Sequence, residues 1–176
     1  MLKKYFLQEN TKAPKKYILL GDFLHLILYF LPQLKPDQSS LDQALEKAWA
    51  FFAQKQSLLY LHKEKNIQDL IQHKQIREKF YIILTLLQEK NFTACTKELK
   101  EQEVIDARGN IYRIDRVLVF PEKLVILDLK LSKQEDSEEN HKKQLKVYQQ
   151  LLQNIFKKET EAYLIYFEEE ELRPVL

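Results

Sequence analysis

The stretch IYRIDRVLVF (111–120), followed by KLVILDLKL (123–131), decides the fold. Both runs are rich in branched and aromatic residues and are bounded by Gly109-Asn110 and by Pro121, so both read as strands. In the second run apolar residues occupy both faces apart from Asp128 and Lys130, the pattern of a central strand covered above and below. Asp128 and Lys130 are two apart, and a pleated strand sends residues i and i+2 to one face with roughly 7 Å between their Cα atoms. A carboxylate and an ammonium therefore project side by side. Asp115 sits on the first strand, and antiparallel pairing through the short FPEK connection (120–123) would bring it beside Asp128. Two acids and a lysine then share one small site. The competing reading is a structural Asp–Lys ion pair, which a covered strand disfavours because desolvation costs on the order of several kcal/mol per ion.

Working outward, SKQEDSEEN (132–140) reads as a solvated loop, and the helix after it carries Leu145, Tyr148, Leu152 and Ile155 on one side. Glu138–Lys142 and Glu139–Lys143 lie at helix-supporting spacing. AYLIYF (162–167) reads as a further strand and ELRPVL (171–176) as a short edge strand in which Pro174 blocks further pairing. Upstream the texture is helical. Leu41, Ala44, Leu45, Ala48 and Phe52 mark one amphipathic helix, with Ser40 as its expected cap, and Ile76, Phe80, Ile83, Leu84 and Leu87 mark another. LPQLKPDQSS (31–40) is a loop. YILLGDFLHLILYFL (17–31) is too short to span a bilayer, is interrupted by Asp22 and His25 and is closed by Pro32, so it reads as a buried core helix. If Asp22 caps that helix, His25 falls in its first turn, where the dipole disfavours imidazolium. Residues 1–16 are polar and lysine-rich, either a loose arm or the remnant of a domain boundary.

At 176 residues the chain suits one domain spanning 1–176. A formal charge of +2 from 28 basic and 26 acidic residues neither announces nor excludes a polyanionic partner. The one cysteine, Cys95, cannot form an internal disulfide or a four-cysteine metal site, which makes a reducing cytosol the expected compartment and Cys95 a small buried hydrophobe. Gly21 and Gly109 are the two glycines, so the GxxxxGK[ST] phosphate loop is absent and the chain cannot supply an NTP-driven motor from such a site; any motor must be a separate chain or domain.

Hydrolysing a phosphodiester near neutral pH requires a cation to neutralise developing charge and a positioned, partly deprotonated water. Mg²⁺ is typically held by one or two carboxylates plus waters and phosphate oxygens, a count that Asp115 and Asp128 supply. Lys130 would serve the water, by orienting it, lowering its pKa or compensating transition-state charge. Gln144 and Tyr148 are one helical turn apart on one face, where an amide and a phenol can contact a phosphate or orient Lys130. Tyr148 fits the apolar core stripe equally well. His25 fits either a hydrogen-bonded core histidine or a metal ligand, and Lys142, Lys143 and Lys146 fit either a solvated face or a nucleic-acid backbone contact.

In this order, GDFLH (21–25), IDR (114–116), DLK (128–130) and QLKVY (144–148) resemble the motifs of RecB- and AddAB-type nuclease domains within the PD-(D/E)XK superfamily, over roughly residues 18–170. The resemblance implies a restriction-endonuclease-like α/β core, with a mixed central sheet flanked by helices and a helical N-terminal half. It implies a Mg²⁺ or Mn²⁺ site of His25, Asp115, Asp128 and the carbonyl of Leu129. Catalytic work would fall to Asp115, Asp128, Lys130, Gln144 and Tyr148. It also implies a further upstream acid, for which Glu98 fits the spacing better than Glu101 or Glu103. Many members follow the lysine with a threonine-glycine turn, whereas Leu131 and Ser132 stand here, so the loop shaping substrate access is expected to differ.

The implied function is metal-dependent hydrolysis of DNA, single-stranded or end-containing, by an exonuclease or single-strand endonuclease. Such a nuclease would work with a helicase chain or domain in recombination and repair, in the cytoplasm and away from membranes. The alternative is a catalytically inactive nuclease-like module that binds DNA ends or serves assembly; the retained Asp-x-Lys pair speaks against it. An RNA-directed nuclease shares the same chemistry.

Overall fold

The computed structural model describes residues 15–58, 73–133 and 135–176. The arm expected over 1–16 falls, as far as residue 14, outside the described residues. In chain order the elements are α1 (Lys15–Phe30), α2 (Gln38–Leu58), α3 (His73–Glu89), a 3-10 turn (Phe92–Ala94), β1 (Lys97–Ile105), β2 (Ile111–Val119), β3 (Lys123–Lys130), α4 (Glu135–Phe156), β4 (Glu159–Tyr166) and β5 (Glu171–Pro174). The sheet has the order β1-β2-β3-β4-β5. β3 and β4 are parallel and the other neighbours antiparallel. A parallel pair needs a long crossover, and α4 supplies it. This mixed sheet flanked by helices is the restriction-endonuclease-like α/β architecture.

β3 is the central strand, and Leu124 to Leu129 are buried without a break, including Asp128. Alternate residues serve two cores. Val125, Leu127 and Leu129 join the cluster built from α1, α2 and α3, whereas Leu124 and Ile126 join Leu145, Tyr148 and Leu152 of α4. The helical periodicities hold in detail: Leu41, Ala44, Leu45, Ala48 and Phe52 are all buried, as are Ile76, Phe80, Ile83, Leu84 and Leu87. Phe23 of α1 packs edge-on to Phe52 at 5.5 Å and to Trp49 at 6.1 Å. Truncating such a buried ring costs about 3–5 kcal/mol. No described helix is long and apolar enough to cross a membrane.

Three local expectations are corrected. α2 begins at Gln38, and Asp37 rather than Ser40 is its cap: an Asp37 carboxylate oxygen accepts the Ser40 amide at 2.9 Å, the reach of an N-cap to the third helical residue. α4 begins at Glu135, inside the expected loop, and is braced by Lys142 to Glu138 and to Glu139, both at 3.0 Å. α1 begins at Lys15, so Asp22 lies within it and His25 is well past the first turn. The helix-dipole argument for a neutral His25 therefore fails, because the N-terminal partial charge fades within one turn.

α1 is fixed at its other end. Arg116, fully buried, donates to the carbonyls of Leu28 and Leu31 and to Glu98 at 3.0 Å. Lys100 donates to the carbonyls of Tyr29 and Leu31. Two cations thus occupy the C-terminal end of α1, where carbonyls lack partners and the dipole favours positive charge.

Candidate active site

Sheet register places the acids. The β2–β3 ladder runs from Val119↔Leu124 to Arg116↔Leu127. Continued by one step it sets Asp115 opposite Asp128, on the face that carries Val117 and Ile126. The backbone pairing ends there, and Asp115 takes over: its Oδ2 accepts the Leu129 amide at 2.8 Å. In a strand, the N–H and C=O of one residue turn toward the same neighbour. The Leu129 carbonyl is therefore on the Asp115 side as well.

Around this point five of the expected residues converge with Asp115. His25 Nδ1 lies 3.3 Å from Asp115 Oδ2. Lys130 Nζ lies 2.7 Å from Asp128 Oδ2 and 3.4 Å from Gln144 Oε1. Gln144 in turn donates through Nε2 to the Tyr148 hydroxyl at 2.6 Å. All six line one open cavity of about 570 Å³. Tyr148 belongs both to the core and to the cavity wall, its ring buried against Leu145 and Leu152 and its hydroxyl joined to Gln144.

The upstream acid beside Asp115 is Glu101, not Glu98. Lys100↔Arg116 and Gln102↔Ile114 flank Glu101 and set it across the β1–β2 ladder from Asp115, whereas Glu98 pairs with Leu118. Glu98 accepts the Leu34 amide at 3.1 Å and Arg116 Nη1 at 3.0 Å, a structural duty. The Gly109-Asn110 turn carried the signal. A hairpin folded about Arg108 sets 101 against 115, and counting back from the turn selects Glu101. Four residues of the cavity wall escaped the sequence reading: Ile111, Val147, Arg113, whose Nε sits 2.7 Å from Glu101 Oε2, and Tyr112, whose ring stands edge-on to Tyr148 at 5.9 Å.

Electrostatics separate the two aspartates. Burial pushes both carboxyls up, but at Asp115 the His25 imidazolium, Lys130 and the Leu129 amide outweigh it and hold the group below the usual carboxylate range. At Asp128 burial prevails over Lys130, with help from the Asp115 charge, and the carboxyl is raised. Glu101 is raised chiefly by burial, against the pull of Arg113. Burial opposes charge on His25, yet Asp115 lifts its pKa to about 9. Burial likewise disfavours the Lys130 ammonium, and Asp128 and Asp115 more than restore it.

The donor set fits a divalent cation. One ligand atom each from His25, Glu101 and Asp115 lie within 4.8 Å of one another. Ligands at 2.0–2.6 Å from one ion are separated by up to about 4–5 Å. Asp128 stands beside this trio, and its buried Oδ2 touches Lys130 without receiving a well-directed hydrogen bond, which leaves a lone pair to offer. Residues 2–175 match the family model described as the PD-(D/E)XK nuclease superfamily. No curated protein matches the chain.

Proposed function

The chain belongs to the PD-(D/E)XK nuclease superfamily, and on that premise we propose that it is a Mg²⁺- or Mn²⁺-dependent deoxyribonuclease of the RecB/AddAB type. The observation that carries this reading is the convergence of Asp115, Asp128 and Lys130 at the point where the β2–β3 ladder ends. His25, Glu101, Asp115 and Asp128, with the Leu129 carbonyl, would hold the cation. When bound, it supplies Lewis-acid neutralisation of phosphate charge and a more acidic water.

The chain's own groups do the rest. Lys130 is held between a carboxylate and an amide oxygen, so its ammonium has a fixed position from which to orient the attacking water and offset charge on phosphorus. Gln144, bonded to Tyr148, limits the swing of Lys130. That relay is the specific support for the RecB-type branch, whose QLKVY helix is the motif carrying the resemblance. DNA with single strands or free ends is the proposed substrate and a helicase chain or domain the proposed partner, in recombination or repair within the cytoplasm.

The test is incubation with single- and double-stranded DNA and RNA in Mg²⁺, Mn²⁺ or chelator, beside Asp128→Ala and Lys130→Ala. Metal-dependent DNA cleavage lost in both variants is the expected result. Binding without cleavage in every condition would assign the chain to end binding or assembly instead, and preferential RNA cleavage would replace the substrate.

A further inference from the structure

The cavity does not stop at the acids. Ile111, Tyr112, Arg113 and Asp115 of β2 all line it, and Ile111 stands four residues, roughly 14 Å, along the strand from Asp115. On the other wall α4 presents Gln144, Val147 and Tyr148, the i, i+3, i+4 spacing of one helix face. The inner end is charged and the outer end is not. Ile111 is 52% exposed and Val147 37% exposed. Isolated exposed hydrophobics are ordinary, but these come from two different elements and flank one cleft. Tyr112 completes the apolar end and is anchored from the hairpin turn, where its hydroxyl donates to Asp106 Oδ2 at 3.1 Å. Asp106 is itself fixed, because its Oδ1 accepts the amides of Arg108 and Asn110 at 2.9 and 2.8 Å.

From this gradient we infer that the outer end is a nucleobase subsite: Ile111, Tyr112 and Val147 take the face of a base next to the scissile phosphate. The inference rests on the nuclease reading of the inner end. A nucleotide has the same polarity as the cleft, with a charged phosphate at one end and a flat apolar base at the other. Arg113, ion-paired to Glu101, stands between the two ends where the linking backbone would pass. A base in a duplex has its faces covered by its neighbours, so the subsite takes only a base that has left the stack. A pre-ordered apolar surface loses little freedom when the base arrives.

The experiment moves a single abasic nucleotide stepwise along a labelled single-stranded oligonucleotide. Cleavage by the unaltered protein is followed in Mn²⁺, and binding by Asp128→Ala is followed by anisotropy. Base stacking in single-strand sites corresponds to about 5- to 150-fold per base, and this partly aliphatic surface is expected to give about tenfold at one lesion position. Ile111→Ser/Val147→Ser should bind and cut the intact strand about tenfold less well and be indifferent to the lesion. Both side chains are exposed, so the fold is expected to survive, and circular dichroism checks it. Equal handling of intact and abasic strands overturns the subsite even where cleavage upholds the nuclease. Discrimination in binding with no cleavage retains the subsite and removes the nuclease. Self-association abolished by the double variant, without discrimination between strands, gives the face to a second copy and also overturns the proposal.

Discussion

Glu101 stands across the β1–β2 ladder from Asp115 with its backbone at φ 47°, in the left-handed region, between the regular pairs Lys100↔Arg116 and Gln102↔Ile114. A non-glycine residue in that region carries strain on the order of 1–2 kcal/mol, and here the strain falls where a carboxylate joins His25 and Asp115. Glu101→Gln is expected to weaken Mn²⁺ binding by at least about tenfold with little change in Tm. Glu98→Gln should do the reverse, because it deprives buried Arg116 of its carboxylate. Calorimetric titration beside thermal unfolding separates the two, and unchanged metal affinity in Glu101→Gln would remove that residue from the site.

Tyr148→Phe separates packing from chemistry. The ring is 3% exposed and stays in place, and the hydroxyl that accepts from Gln144 is all that goes. Loss of one such bond costs about 1 kcal/mol of stability, while turnover should fall about tenfold or more as Gln144 and Lys130 lose their brace. Single-turnover cleavage and thermal unfolding measure the two effects. A variant with native turnover would assign the phenol to the core alone.

Much of this was legible from the chain because the informative charges sit where charges are disfavoured. Asp128 and Lys130 break an otherwise apolar central strand, and the helical periodicities of α2 and α3 match the buried residues one for one. β1 was not legible. KELKEQEVI (97–105) shows no apolar alternation, because β1 is an edge strand whose Glu98, Lys100 and Glu101 are satisfied by Arg116, α1 carbonyls and Arg113. Without β1 there was no register, and without register Glu98 outranked Glu101. The start of α1 is hidden for a related reason: the polar Lys15-Lys16 pair gives its first turn no apolar signature, which sets His25 too near the apparent N-terminus.

Arg116 lies beside Asp115 in sequence but faces the opposite side of the sheet, where it ties α1 to β1 and β2. Arg116→Leu would take from Glu98 its buried cation and from the carbonyls of Leu28 and Leu31 a donor, only Leu31 keeping Lys100, a change expected to cost about 3–5 kcal/mol. Denaturant unfolding gives the value, and a loss below about 1 kcal/mol would mean that water reaches those carbonyls. Since α1 carries His25, metal affinity should fall along with stability.

Metal binding should displace a proton from His25. Burial disfavours its imidazolium, but Asp115 and Asp128 raise the pKa to about 9, and a ring that ligates a cation must be neutral. Mn²⁺ affinity is then expected to rise with pH up to about 9 and level off above it. Close to one proton should be released near neutral pH, read from titrations in buffers of different ionisation enthalpy. His25→Ala should lose that release, and a pH-independent affinity in the unaltered protein would take His25 out of the metal shell.

His141 answers to pH in the opposite sense. It is half-buried on α4 one turn before Gln144, and its Nδ1 has no hydrogen-bond partner. Burial disfavours its imidazolium and the Lys130 charge adds to that, against a weaker pull from Glu138, so its pKa falls from 6.5 to about 4. Between those values the unfolded chain binds the proton more readily than the folded one, and stability must decline as pH falls through that window. Above it the contribution is constant. The Tm of the unaltered protein should therefore drop more steeply from about pH 6.5 to about pH 4 than that of His141→Gln, which has no group to protonate there. Scanning calorimetry across the range checks this, and parallel curves for the two proteins would show that His141 titrates alike in the folded and unfolded chain.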